Sequence, residues 1–115
     1  MWLTNGITAG QTITFDLGSS CRILGFHLWN YNENPGYNGR GIQTATISIG
    51  ASASGPWSPV TLTTSTFTEA TGTTTYTGEN YAFSSPQTTE FVQISIITNC
   101  GSDSYTGIGK IRFLQ

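Results

Sequence analysis

Residues 11–30 read QTITFDLGSSCRILGFHLWN, and this stretch decides the class of fold. Over 11–17, Ile13, Phe15 and Leu17 fall on one face of an extended chain, and Thr12, Thr14 and Asp16 on the other. That is the period of two of a half-buried strand. Gly18-Ser19-Ser20 then supplies turn chemistry. The segment 22–30, RILGFHLWN, is apolar on both faces, which predicts a central strand covered on both sides.

The same period continues outward. In 43–50, Ala45, Ile47 and Ile49 alternate with Thr44, Thr46 and Ser48, so the first set is expected to point inward. A short strand is predicted at 59–63, two more at 73–83 around a turn at Gly78, and a second central strand at 90–98, EFVQISIIT. The chain closes with IGKIRFL at 108–114. Turn clusters fall at Asn34-Pro35-Gly36, Ser54-Gly55-Pro56 and Ser84-Ser85-Pro86. The Thr-rich run 61–77 reads as an edge strand plus loop, anchored by Leu62, Phe67 and Tyr76. No segment carries an amphipathic helical stripe. Seven or eight short strands at this spacing predict one all-β domain over residues 1–115, an antiparallel β-sandwich or jelly roll.

Composition narrows the function. Only 9% of the 115 residues are charged, so the surface is covered instead by Thr, Ser, Asn and Gly, as on extracellular β modules. The net charge of −2, with Arg22, Arg40, Lys110 and Arg112 scattered, excludes a nucleic-acid partner. No apolar run is long enough for a membrane-spanning helix, and the opening Met1-Trp2-Leu3 does not begin a signal peptide. The six acids, Asp16, Glu33, Glu69, Glu79, Glu90 and Asp103, form no pattern that would raise one pKa against another for glycosidase chemistry. There is no nucleophile elbow, zinc motif or phosphate loop. The expectation is a secreted or cell-surface domain that binds or assembles and is not an enzyme.

Several segments in order resemble the discoidin family, also called the coagulation-factor type C or galactose-binding-like domain. They are Phe15-Asp16-Leu17-Gly18, the run from Gly25 to Asn32 (GFHLWNYN), Arg40-Gly41-Ile42 and Ser54-Gly55-Pro56-Trp57. Phe91-Val92, Thr98-Asn99, Tyr105-Thr106-Gly107 and Ile111-Arg112-Phe113 follow. The variant resembles discoidin-like modules of bacterial exported proteins. The resemblance implies a jelly-roll sandwich with ligand-binding loops at one end, and ligands that are mostly sugars. Relative to that pattern the chain looks shortened ahead of Trp2-Leu3, where a first strand and part of a calcium loop would lie. Lys110 stands where the resemblance would place a calcium-ligating Glu. No calcium, and no other cofactor, is therefore expected.

The loop from Asn30 to Gly41, NYNENPGYNGRG, is the candidate site. Sugar recognition needs an aromatic face for the C–H side of the ring, and amides, carboxylates or guanidinium to bond the hydroxyls. Tyr31 and Tyr37 offer the first; Asn30, Asn32, Glu33 and Arg40 offer the second. The plainer reading is that Asn, Gly and Pro build a turn and the rest packs locally. His27, in mid-strand, joins the candidates, as do Asn99, Asp103 and Tyr105 on the loop before the last strand. Trp29 and Trp57 read as packing residues.

Cys21 precedes the strand 22–30 and Cys100 follows the strand 90–98. If these strands pair antiparallel, the two cysteines meet and form a disulfide; otherwise they are free thiols. Two functions remain open. One is a carbohydrate-binding module taking a glycan or cell-surface polysaccharide. The other is a structural subunit whose open sheet edge recruits a neighbouring chain into a fibre or surface layer.

Overall fold

Two long strands carry the architecture. A computed structural model of the protein describes every residue except 1, 5, 7–9, 34, 35, 102 and 103. Its elements are β1 (Trp2–Leu3), β2 (Thr12–Asn30), a 3-10 turn (Asn38–Arg40), β3 (Ile42–Gly50), β4 (Ser58–Val60), β5 (Glu79–Asn99) and β6 (Gly107–Leu114). All strand pairs are antiparallel, in the order β1-β6-β2-β5-β3-β4.

β2 and β5 are long enough to serve both layers of a sandwich. The first part of β2 pairs with the last part of β5 (Thr12↔Ser95 to Asp16↔Phe91), and β3 and β4 extend that layer. The last part of β2 pairs with the first part of β5 (Gly25↔Ala82 to Leu28↔Glu79) and with β6, forming the second layer. The crossing between layers is made by two complementary bulges. Between Asp16 and Cys21 the extra residues are on β2; between Ile23 and Gly25 they are on β5. The first bulge holds Gly18-Ser19-Ser20 and the second Ser84-Ser85-Pro86, the two clusters expected to be turns. They bend continuous strands instead of ending them, because a sandwich corner needs the same positive-φ and non-donor residues as a turn. Gly18 has φ +89°, and its N–H donates to Asp16 Oδ1 at 2.8 Å.

The core lies between the layers: Ile23, Phe26 and Leu28 from β2, Ile42 and Ile47 from β3, Val92, Ile94 and Ile96 from β5, Ile108 from β6. Phe15 meets Phe113 across it with ring centroids 5.5 Å apart. Phe67, from the segment between β4 and β5, closes one side edge-on to Tyr81 at 4.7 Å.

Several expectations are corrected. The central strands are covered on one face only. Leu24 and Ile97 (52% exposed) point to solvent, and so partly do His27 and Trp29. Six strands form among the described residues, since 73–78 is loop and 61–77 contributes only the bridge Leu62↔Phe83. Ser48, assigned outward, is buried between Pro59 and Gln93 of its neighbours. Trp2 and Leu3 themselves make an edge strand on β6. The disulfide fails on register: 22–30 pairs with the first half of β5, not with 90–98, so Cys21 sits beside Thr89. Cys100 lies roughly 35 Å further along the strand path, and both thiols are free.

Candidate functional site

β2 and β5 end, and β3 and β6 begin, at the same end of the sandwich, with Asn30 opposite Ile108 and Ile42 opposite Asn99. The loops 31–41 and 100–106 therefore meet there. Gly101 N–H donates to the Gly39 carbonyl and Cys100 N–H to the Gly41 carbonyl, both at 2.8 Å. The approach depends on Gly41, where a Cβ would lie 2.8 Å from the Asn30 side chain.

Asn30 is the post on which the loops hang. Its amide donates to the carbonyls of Ile42 (2.9 Å) and Thr68 (3.0 Å), and its Oδ1 accepts from the N–H groups of Tyr31 (3.0 Å) and Ile42 (2.9 Å). Its own backbone N–H donates to the Tyr76 hydroxyl oxygen at 2.9 Å. At 1% exposure, with both ends of its amide engaged, Asn30 has no face for a ligand. Tyr31, also buried, donates its hydroxyl to the Glu33 carboxylate. That bond, reinforced by burial, raises the Tyr31 pKa above its ordinary value, against the Arg40 guanidinium, which lowers it. Asn99 is buried, and its amide donates to the Tyr105 carbonyl at 3.1 Å. Asn30, Tyr31 and Asn99, three of the residues expected to contact a ligand, are thus buried and hydrogen-bonded within the loops.

The outward residues of the same loops differ in kind. Arg40 Cζ stands 4.3 Å from the centre of the Tyr37 ring and 5.0 Å from that of Tyr105. Tyr37 is 44% exposed and Tyr105 partly so. The structure thus brings Tyr37, Arg40 and Tyr105 together at the tip, with exposed Glu33 on the same loop, its N–H held by Asn38 Oδ1 at 3.0 Å. Asn32 faces sideways, donating to Thr73 O (2.9 Å) and accepting from Gly72 N–H (2.8 Å), and so ties in the Thr-rich loop. That loop borders a hollow of about 380 Å³ lined by Glu69, Thr71, Thr73, Thr75 and Tyr76. Sequence reading missed this wall because its Thr run scores equally well as strand. A guanidinium packed on aromatic rings can offer its planar donors in a defined orientation, to a carboxylate or to neighbouring hydroxyls.

His27 is not part of this tip. It lies on the outward face of the second layer, with Nε2 donating to the Thr77 carbonyl at 2.7 Å and Nδ1 2.5 Å from the Asn80 side chain. Asp103, Asn34 and Pro35 fall outside the described residues. At the opposite end a cleft of about 400 Å³ is lined by Ser20, Gly50, Pro56, Thr89 and Glu90, with no aromatic face. Lys110, at the position expected of a calcium-ligating Glu, places its ammonium 4.9 Å from the Trp29 ring centre, and among the described residues no three of His, Cys, Asp and Glu gather.

This architecture, two antiparallel layers with its loops gathered at an end, is that of the galactose-binding-like β-sandwiches. A solved structure described as "CBM32 of AlyQ in complex with 4,5-unsaturated mannuronic acid" is similar to the chain at 26% identity and a TM-score of 0.67. The likeness covers 97% of this chain and 74% of that one. No family model matches the sequence, and no curated protein matches it. No helix among the described residues is long and apolar enough to cross a membrane.

Proposed function

We propose that this protein is a non-catalytic, extracellular carbohydrate-binding module whose site is the loop tip around Tyr37 and Arg40. The observation that carries the reading is the Arg40 guanidinium set against the Tyr37 and Tyr105 rings on an exposed tip braced by buried Asn30. Tyr37 supplies a ring face for the C–H side of a pyranose; Arg40 and Glu33 bond its hydroxyls. The bracing lowers the ordering cost of binding. The similar CBM32 structure, which holds a saccharide acid, supports the substrate class. A single such tip binds weakly, and repetition on a surface would supply avidity. A glycan array compares the wild type with Arg40→Ala. Binding to at least one glycan group, lost in the variant, is expected. No binding to any glycan, or an indistinguishable variant, defeats the proposal.

One observation favours the alternative of a structural subunit. β1 covers only Gly107 and Ile108 of β6, so the outer edge of β6 beyond them is unpaired among the described residues. Lys110 and Arg112 on that strand, and Pro59 on the opposite edge strand, are the residues that discourage strand addition. The carbohydrate reading is therefore preferred. Sedimentation as a uniform monomer across concentrations would end the assembly reading.

A further inference from the structure

The outward face of the second layer carries a cluster that the tip does not use. His27 and Trp29 alternate with the core residues Phe26 and Leu28 on β2, and pair in register with Arg112 and Lys110 of β6. The Trp29 ring lies 4.1 Å from the His27 ring, 4.9 Å from Lys110 Nζ and 6.0 Å from Arg112 Cζ. The two cations are exposed. They are half of the four Lys and Arg residues in a chain whose net charge is −2. Among the described residues neither makes an ion pair. Glu79, the acid nearest in register, turns its carboxylate to Thr68 Oγ1 (3.1 Å) and the Tyr81 hydroxyl. His27 is held by Thr77 and Asn80, which fixes the ring beside the indole.

We infer that this face is a second glycan-binding surface, specific for an acidic, uronate-bearing polysaccharide. The pairing of an indole with two uncompensated cations matches such a chain: the ring takes the C–H face of a sugar, and the cations take carboxylates. Lys110 and Arg112 are two positions apart on one strand face, so their Cα atoms stand roughly 7 Å apart and their side chains can meet successive groups along an extended chain. Their contacts with Trp29 are exposed cation–π contacts, weaker than the charge-assisted hydrogen bonds a carboxylate would offer, so the side chains can swing from ring to ligand. A nucleic acid or an anionic membrane would ask for more cations than two. The face also lies on regular strands rather than loops, which suits an extended polymer lying flat.

The test is a titration with oligogalacturonate and with the same oligosaccharide fully methyl-esterified, for wild type, the Lys110→Gln/Arg112→Gln double variant and Arg40→Ala. Both substituted positions are exposed, and a thermal melt confirms folding. The wild type is expected to bind the acid form and to weaken as salt is raised. Affinity is expected to fall about tenfold or more in the double variant, further than in Arg40→Ala, and to be weak for the ester. Absence of acid binding by the wild type, a double variant that binds normally, or loss in Arg40→Ala alone would overturn the inference. Equal, Lys110- and Arg112-dependent binding to a DNA oligonucleotide or anionic vesicles would overturn the saccharide assignment. The tip proposal stands or falls separately, on Arg40→Ala against the arrayed glycans.

Discussion

Truncation of Asn30 to alanine tests how the tip is braced. The change removes four hydrogen bonds to the backbone, from the carbonyls of Ile42 and Thr68 and the N–H groups of Tyr31 and Ile42, and leaves the Ile42 carbonyl only the weak Cys100 thiol donor. Each buried group left without a partner costs about 1–3 kcal/mol, and some regain water as the loop loosens. At roughly 1 kcal/mol per group the loss is about 4 kcal/mol, a large share of the 5–15 kcal/mol of a typical domain. The melting temperature should then fall on the order of 15 °C. Asn30→Asp is the companion variant, keeping one acceptor oxygen but setting the other against two carbonyls. Burial and those carbonyls raise the carboxyl pKa in the folded state above about 3.9, its ordinary value. The acid form can donate to a carbonyl, so this variant's stability is best below about pH 4 and is lost as pH rises through the raised pKa. Urea unfolding at pH 4 and pH 7 measures both. A loss under about 1 kcal/mol for Asn30→Ala, or an Asn30→Asp variant more stable at pH 7 than at pH 4 relative to wild type, would refute the bracing.

Further expectations follow from the same packing. Tyr76→Phe removes the single hydroxyl on Asn30 N–H and should cost about 1–2 kcal/mol in urea unfolding. Gly25→Ala should destabilise by several kcal/mol or prevent folding, since its Cβ would lie 2.2 Å from the Tyr81 carbonyl oxygen; a melt like that of wild type contradicts the close approach. Burial, then the charge of Glu69, pushes the Cys100 thiol up to about 11. Cys100 therefore stays protonated at pH 8, and its alkylation rate should climb until pH approaches 11; a plateau below pH 9 contradicts this. Because the folded pKa is the higher, its stabilising contribution is complete below the ordinary value of 9.0 and lost as pH rises through about 11. Intact mass in the absence of reductant should show two free thiols.

The sandwich was legible because alternation survives in every strand that faces the core, from Ile13 and Phe15 through Ile94 and Ile96. Strand length was not. Gly18-Ser19-Ser20 and Ser84-Ser85-Pro86 have the chemistry of turns, and only the pairing partner decides between a turn and a corner. That choice also moved Cys21 away from Cys100, because register is a long-range property. At the tip, the loop was legible as a site but the division of labour within it was not. Asn30 and Asn32 look alike in sequence, yet one anchors the loop in the core and the other ties it to Thr73. Trp29 read as packing because the run 22–30 is apolar on both faces; Lys110 and Arg112 reach it only through the pairing of β6.

Sugar contact at the Tyr37–Arg40 tip defines the proposed site. It is tested most directly by titrating isotope-labelled protein with a neutral glycan found on the array and following backbone and side-chain NMR shifts. The perturbed resonances should cluster at Tyr37, Arg40, Tyr105 and Glu33, with Asn30 moving little and the cleft around Ser20 and Thr89 not at all. Perturbations centred on that opposite cleft, or saturable binding that leaves the Arg40 guanidinium unmoved, would contradict it.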